Sequence, residues 1–250
     1  MSFSHLHVHS HYSLLDGLPK IKELVRKAAE NKMPALALTD HGVMYGCIEF
    51  YKACKDAGIK PIIGMEAYVS LHPLTSEKSK SDRTRYHLTL LAQNHTGYKN
   101  IMKLCSLGWL DGFYYKPRID YVNLKKYSQG ITILTGCLNS ELNQALVKDN
   151  EAAAHQTLEI YQDIVGLDNV FLEIQHHPHI GEYQKIRPRL IDLAYAQGVP
   201  LVATNDVHYL EKDDASAQDA LLCIQTGKKI EDEKRMRMTN GEVHFTTEQE

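Results

Sequence analysis

A chain of 250 residues, 43% of them apolar, is long enough to bury a sizeable core in one large α/β domain or in two ordinary ones. The net charge of −3 excludes nucleic-acid binding through bulk positive charge. The mean hydropathy of −0.35, with no apolar run near the roughly 18 residues of a membrane span, excludes an apolar membrane-spanning helix.

In chain order, the polar, His-rich start Met1–Ser13 does not fit a secretory signal. It overlaps the first β-rich run, Phe3–His9. Ile21, Leu24, Val25, Ala28 and Ala29 then follow a helical stripe, with Lys20, Lys22, Glu23, Lys27 and Glu30 outside it. The second run is Ala35–His41. Cys47 and Cys54, seven apart on a predicted helix, read as core residues, and Gly58 with Lys60-Pro61 closes that helix before the third run, Pro61–Val69. Ser70–Arg85 lacks periodicity and carries Lys78, Lys80, Arg83 and Arg85 against Glu77 and Asp82, which predicts a mobile loop. The fourth run is Tyr86–Gln93, and Cys105 and Trp109 beyond it read as packing. The fifth, Ile131–Leu138, is followed by a helix start at Asn139. The sixth is Val170–His176. A helix marked by Ile186, Leu190, Leu193 and Ala194 follows and is closed by Gly198 and Pro200 before the seventh run, Leu201–His208.

Strands alternating with helices predict βαβ units, and seven of them predict an α/β fold with a closed or nearly closed barrel; a doubly wound open sheet is the lesser alternative. The barrel domain is expected over residues 1–226, with 227–250 opening a linker. Thr246–Glu250 reads as the first turn of an unfinished helix, so the chain is expected to be a fragment. The five cysteines are odd in number and form no CxxC pair, which points to a reducing cytoplasm and no disulfide framework.

The unusual total is histidine, 14 residues. In a parallel barrel the active site sits at the C-terminal ends of the strands, and most runs carry potential metal ligands. They are His7, His9 and Asp16; Asp40 and His41; Glu66; His87; Cys137; Glu173, His176 and His177; and Asp206 and His208. His7-x-His9 and Asp206-x-His208 would each share one face of a strand. A lone histidine reads as a surface or core residue, but a set ending successive strands requires a cation to neutralise it. Mixed N, O and S donors favour zinc and admit manganese or iron. More ligands than one tetrahedral ion can use imply a cluster of two or three, and the reaction class this suggests is phosphate ester hydrolysis.

His-Leu-His-Val-His-Ser with Leu-Leu-Asp-Gly, Leu-Thr-Asp-His-Gly, Gly-Met-Glu-Ala-Tyr and Asn-Asp-Val-His-Tyr resemble the PHP (polymerase and histidinol phosphatase) superfamily. Gly112-Phe-Tyr-Tyr-Lys-Pro-Arg-Ile-Asp120 resembles the branch joined to bacterial replicative polymerases, whose palm, fingers and thumb would be the missing remainder. The resemblance implies a distorted seven-stranded βα barrel, (β/α)7, with three divalent ions. His7, His9, Glu66 and Asp206 would surround the first ion. Glu66 would bridge to a second, held also by His87 and Cys137, and Asp16, His41 and His208 would hold the third. Glu66, Asp206 and His208 would be catalytic through water activated by the metal. The implied activity is a 3′→5′ exonuclease that proofreads mispaired primer ends delivered as single strands. Its partners would be DNA, the rest of the polymerase chain and other replisome subunits, with no membrane.

Tyr115, Lys116 and Arg118, with Tyr114, combine aromatic faces and positive charge as single-strand contacts do, and His177 is a further candidate for touching substrate. Asp40 is expected to orient His41 or to cap the following helix rather than bind metal. Two other functions compete: a metal-stabilised scaffold that braces the polymerase or docks a proofreading partner, and a small-molecule phosphatase of the histidinol phosphate type.

Overall fold

The computed structural model describes residues 3–74, 83–238 and 242–250. The chain divides into two compact units, Met1–Ile63 with Thr204–Glu250, and Gly64–Ala203.

The first unit is organised by one apolar cluster. α1 (Ile21–Glu30) buries Ile21, Leu24, Val25 and Ala28 in it, while Ala29, at the edge of the predicted stripe, is exposed. β1 (Ala35–Leu38) pairs in parallel with the start of β2 (Lys60–Ser70), Ala35 opposite Lys60 and Leu38 opposite Ile63. Between them α2 (Cys47–Asp56) buries Cys47, Phe50 and Cys54. Val8, Leu36, Leu38, Val207 and Phe245 complete the cluster. Phe3–His9, expected as a strand, contributes a single bridge, Val8 to Val207. Backbone bonds still bracket it: Ala37 N–H to His5 O on one side, and Val207 N–H to His7 O and His9 N–H to Val207 O on the other. The ladder is broken by a side chain, because Val8 N–H donates to Thr39 Oγ1 at 2.8 Å instead of to a strand carbonyl.

Residues 227–250, expected to open a linker, partly pack into this unit. The last helix (Ala215–Thr226) ends at Gly227. The chain then returns, with Asn205 Nδ2 donating to the carbonyls of Glu242 and His244 at 2.8 Å each. Val243 and Phe245 are buried there.

The second unit takes up β2 from Gly64. β3 (Tyr86–Ala92) runs antiparallel to it, Glu66 opposite Thr89 and Tyr68 opposite His87. α3 (His95–Leu110) leads to β4 (Arg118–Asp120), which pairs in parallel with β2. α4 (Tyr121–Lys126) precedes β5 (Ile131–Leu134), antiparallel to β3. α5 (Glu141–Val147) and α6 (Glu151–Val165) precede β6 (Val170–Gln175), parallel to β5. α7 (Gly181–Gln197), closed by left-handed Gly198, leads to β7 (Leu201–Thr204) beside β6. Asn94, Asp120, Ser140 and Asn150 each accept the N–H of the third residue beyond, at the starts of α3 to α6. Each such cap contributes about 1 kcal/mol. Ser140, one residue past the expected Asn139, therefore starts α5.

The fold is α/β with a mixed sheet, where regular alternation of strand and helix predicted parallel strands. The exception is β3, which runs antiparallel to both of its neighbours, β2 and β5. Glu77, Lys78, Lys80 and Asp82 of the loop expected between β2 and β3 lie outside the described residues. β4 was not anticipated, since three residues are too few to display a period. None of the five cysteines forms a disulfide. Among the described residues no helix is long and apolar enough to cross a membrane.

Candidate metal centre

In the first unit the loop Ser10–Gly17 folds back beneath the His7–His9 segment. A Cβ on Gly17 would lie 2.2 Å from the Ser10 carbonyl oxygen, so only glycine permits the return that brings Asp16 to the histidines. Asp16 Oδ2 is 3.0 Å from His41 Nε2, and Oδ1 is 3.8 Å from His208 Nε2. His9, His41 and His208 each place a ring nitrogen within 4.8 Å of the others. Burial pushes the Asp16 carboxyl up, but the neighbouring His208, the hydrogen bond from His41 and the charges of His41 and His9 outweigh it and hold the group at about 2. It is therefore ionised at neutral pH and suited to a cation.

Asp206 completes this set. Its Oδ1 lies 3.2 Å from His7 Nε2 and 3.2 Å from His9 Nε2. Both rings are fully buried, with centroids 5.2 Å apart. Two imidazolium ions so placed would repel each other, whereas a divalent ion serves both rings and the carboxylate together. His208 Nδ1–H donates to the Asp206 carbonyl at 2.7 Å, so Nε2 is the nitrogen that keeps a lone pair. β7 ends at Thr204, and Asp206 takes a left-handed φ of 49°. Strand alternation is therefore not what brings Asp206 and His208 together; a turn just past the strand does so, in a conformation that costs a non-glycine residue about 1–2 kcal/mol.

In the second unit Glu66 on β2 and His87 on β3 meet across the antiparallel pair, with His87 Nδ1 at 2.9 Å from Glu66 Oε1. Cys137 Sγ lies 3.5 Å from His87 Nδ1 and 3.6 Å from Glu66 Oε1. Cys137 stands three residues beyond the end of β5, on a loop that needs Gly136: its φ is +91°, and a Cβ would lie 2.9 Å from the His87 carbonyl oxygen. Glu173 on β6, one of the potential ligands at the strand ends, accepts Gly136 N–H at 3.0 Å and Gln175 Nε2–H at 3.1 Å, so it supports the Cys137 loop. His176 is exposed.

The expected substrate contacts separate. Tyr115 is exposed, with Arg83 donating to its hydroxyl at 2.8 Å. Lys116 Nζ lies 5.4 Å from the centre of the Tyr68 ring. Arg118 is 2% exposed on β4, its Nε donates to Gly112 O at 3.1 Å, and its guanidinium stands over Tyr114. That arginine packs its own loop and does not offer its charge at the surface. His177 is likewise buried, paired with Gln175 Oε1 at 3.0 Å.

Sequence reasoning missed two supports. Ser13 links the anticipated Asp40 to His41, its hydroxyl donating to the carboxylate and accepting the His41 amide, and Gln218 on the last helix donates to the Asp16 carbonyl at 3.3 Å. The spacing of Ser13 from the His-x-His motif was a usable signal; Gln218 offered none.

The PHP domain family matches residues 5–177. The chain belongs to the PHP family. This PHP chain is similar to DNA polymerase III subunit alpha of Treponema pallidum, 44% identical over 252 residues that cover 98% of the chain and 21% of that protein. It is similar also to DNA polymerase III subunit alpha of Thermus aquaticus, 41% identical over 260 residues that cover 100% of the chain and 21% of the relative. The PHP chain thus spans about a fifth of the length of these relatives. Its fold is similar to that of a candidate metal-dependent phosphoesterase from Bifidobacterium adolescentis, with a TM-score of 0.53 at 15% identity, covering 83% of this chain and 88% of that one. At that identity the likeness concerns the fold alone.

Proposed function

We propose that this PHP domain is a metal-dependent phosphoesterase acting as a 3′→5′ exonuclease on single-stranded or mispaired primer ends, within a replicative DNA polymerase. The observation that carries the reading is the Asp206 carboxylate oxygen facing two buried imidazole nitrogens at 3.2 Å, with Asp16, His41 and His208 alongside. The polymerase relatives supply the choice of DNA over a small phosphate ester. His7, His9 and Asp206, then Asp16, His41 and His208, would hold divalent ions in the first unit. Glu66, His87 and Cys137 would do so in the second. The family resemblance implies three ions; the mixed donors favour zinc and admit manganese or iron.

Such ions, when bound, would activate water at neutral pH and offset charge on the phosphoryl oxygens. Asp206 would orient two histidines with one oxygen, and His208 would keep Nε2 presented by giving its Nδ1 proton to backbone. Asp16, ionised well below neutral pH, would keep His41 in place. Tyr115 and Lys116 would offer a stacking face and a cation to the strand. The rest of the polymerase and other replisome subunits would be its partners, in the cytoplasm.

The test is elemental analysis of the purified protein, paired with hydrolysis of 5′-labelled single-stranded DNA, a 3′-mismatched primer and histidinol phosphate, with zinc or manganese. Stepwise shortening from the 3′ end with about three metals per chain is expected. Metal without cleavage would instead favour a scaffold, turnover of histidinol phosphate alone a small-molecule phosphatase, and absence of metal would remove the basis of the reading.

A further inference from the structure

A neutral imidazole carries its proton on one nitrogen, and only the other can bind a metal. At His9 a serine makes that choice. Ser13 Oγ lies 2.7 Å from Asp40 Oδ1, 2.9 Å from His9 Nδ1 and 3.1 Å from the backbone nitrogen of His41. The His41 amide can only donate, so the serine oxygen accepts it. Asp40 Oδ1 already accepts the Ser10 amide at 2.7 Å, and Oδ2 accepts the Ser10 hydroxyl at 2.8 Å. Oδ1 is therefore an acceptor, and the single hydroxyl proton of Ser13 goes to it. One lone pair of the serine oxygen is left, and the hydrogen bond with His9 is completed only if His9 carries its proton on Nδ1. Ser10, Ser13 and Asp40 are at most 1% exposed, so bulk water does not compete for these bonds.

We infer that Ser13, oriented by Asp40, is a positioning residue that fixes His9 in the Nδ1–H form and turns the Nε2 lone pair towards Asp206. Nε2 then faces the Asp206 oxygen at 3.2 Å, two acceptors that a cation draws together. The same serine oxygen ties the backbone of His41, so one hydroxyl sets two ligands at once. This inference rests on the reading of His9 and Asp206 as metal ligands.

The decisive experiment is a two-bond proton–nitrogen correlation spectrum of the histidine rings in metal-free protein at pH 8.5, combined with zinc affinity measured by chelator competition. His9 is expected to bear its proton on Nδ1 in the wild type. Asp40→Asn should keep it there, because the Ser10 amide still calls for a carbonyl oxygen at the Oδ1 position. Ser13→Ala should release the tautomer and weaken zinc binding by about 10- to 100-fold, and Ser13→Thr, which retains the hydroxyl, should recover most of that loss. A wild-type His9 protonated on Nε2, or a folded Ser13→Ala that binds zinc as tightly as the wild type, overturns the inference. If Ser13→Ala does not fold, the wild-type and Asp40→Asn spectra still decide. If the wild type keeps His9 Nδ1–H but binds no zinc, the control of the ring by serine stands and the ligand reading falls.

Discussion

His5 is a buried imidazole whose protonation should weaken the fold in a measurable pH window. Its Nε2–H donates to the Thr246 carbonyl at 3.0 Å, and its ring packs 4.2 Å from that of Phe245, fully removed from water. A second proton on Nδ1 would meet no acceptor there. Burial, only partly opposed by the Thr246 bond, and the nearby His244 lower the pKa from 6.5 to about 4. Between these values the unfolded chain binds the proton and the folded chain does not, so stability is present above pH 6.5 and is lost as pH falls through about 4. At about 1.4 kcal/mol for each pH unit of the window, the full loss is roughly 3 kcal/mol, and about 2 kcal/mol of it should be gone by pH 5. His5→Gln removes the titrating group. Its lost ring packing is an offset that does not vary with pH. Urea unfolding of both proteins in chelator, at pH 7.5 and pH 5.0, isolates the difference: the wild type should lose about 2 kcal/mol more than the variant. Equal losses would refute the assignment of a neutral, buried His5.

Three further outcomes follow from the site. Asp206→Asn should keep the left-handed backbone, which asparagine tolerates, yet lower the metal content and abolish the proposed nuclease activity; unchanged metal by elemental analysis would remove Asp206 from the proposed ligand set. Chelation should lower the thermal midpoint, because emptied sites leave carboxylates and histidines buried without a cation; identical melting curves with and without chelator would argue against any structural metal. Gly136→Ala combines a positive φ with a Cβ at 2.9 Å from a backbone oxygen, so a loss of about 2 kcal/mol or more is expected in urea unfolding, and a wild-type midpoint would show that the loop relaxes freely.

What the sequence disclosed depended on how local the cause was. The stripe of α1 and the closure of α7 at Gly198 are set by residues a turn apart, and both could be read directly. The direction of β3 is expressed in its pairing with β2 and β5, partners distant in sequence, which composition does not report. Arg118 looked like a surface cation because a basic aromatic loop and a buried three-residue strand have the same composition. At the site, the donor types along the chain were legible, and the structure gathers His7, His9, Asp16, His41, Asp206 and His208 within one unit. Their orientation was not legible, since the bonds that set it link residues far apart in sequence, as Ser13 to Asp40 and Gln218 to Asp16 do.

The first unit is assembled from two stretches of chain that flank a continuous second unit. During synthesis His7, His9, Asp16 and His41 leave the ribosome long before Asp206 and His208. At about 5–20 residues per second that delay is on the order of ten seconds. Residues 64–203, one uninterrupted segment, are made in the meantime, while the early histidines wait without the carboxylate that lies beside two of them. If the proposed ligand set holds metal, its loading would be a late event in the life of a nascent chain, and a stalled or truncated product would carry the early histidines without Asp206.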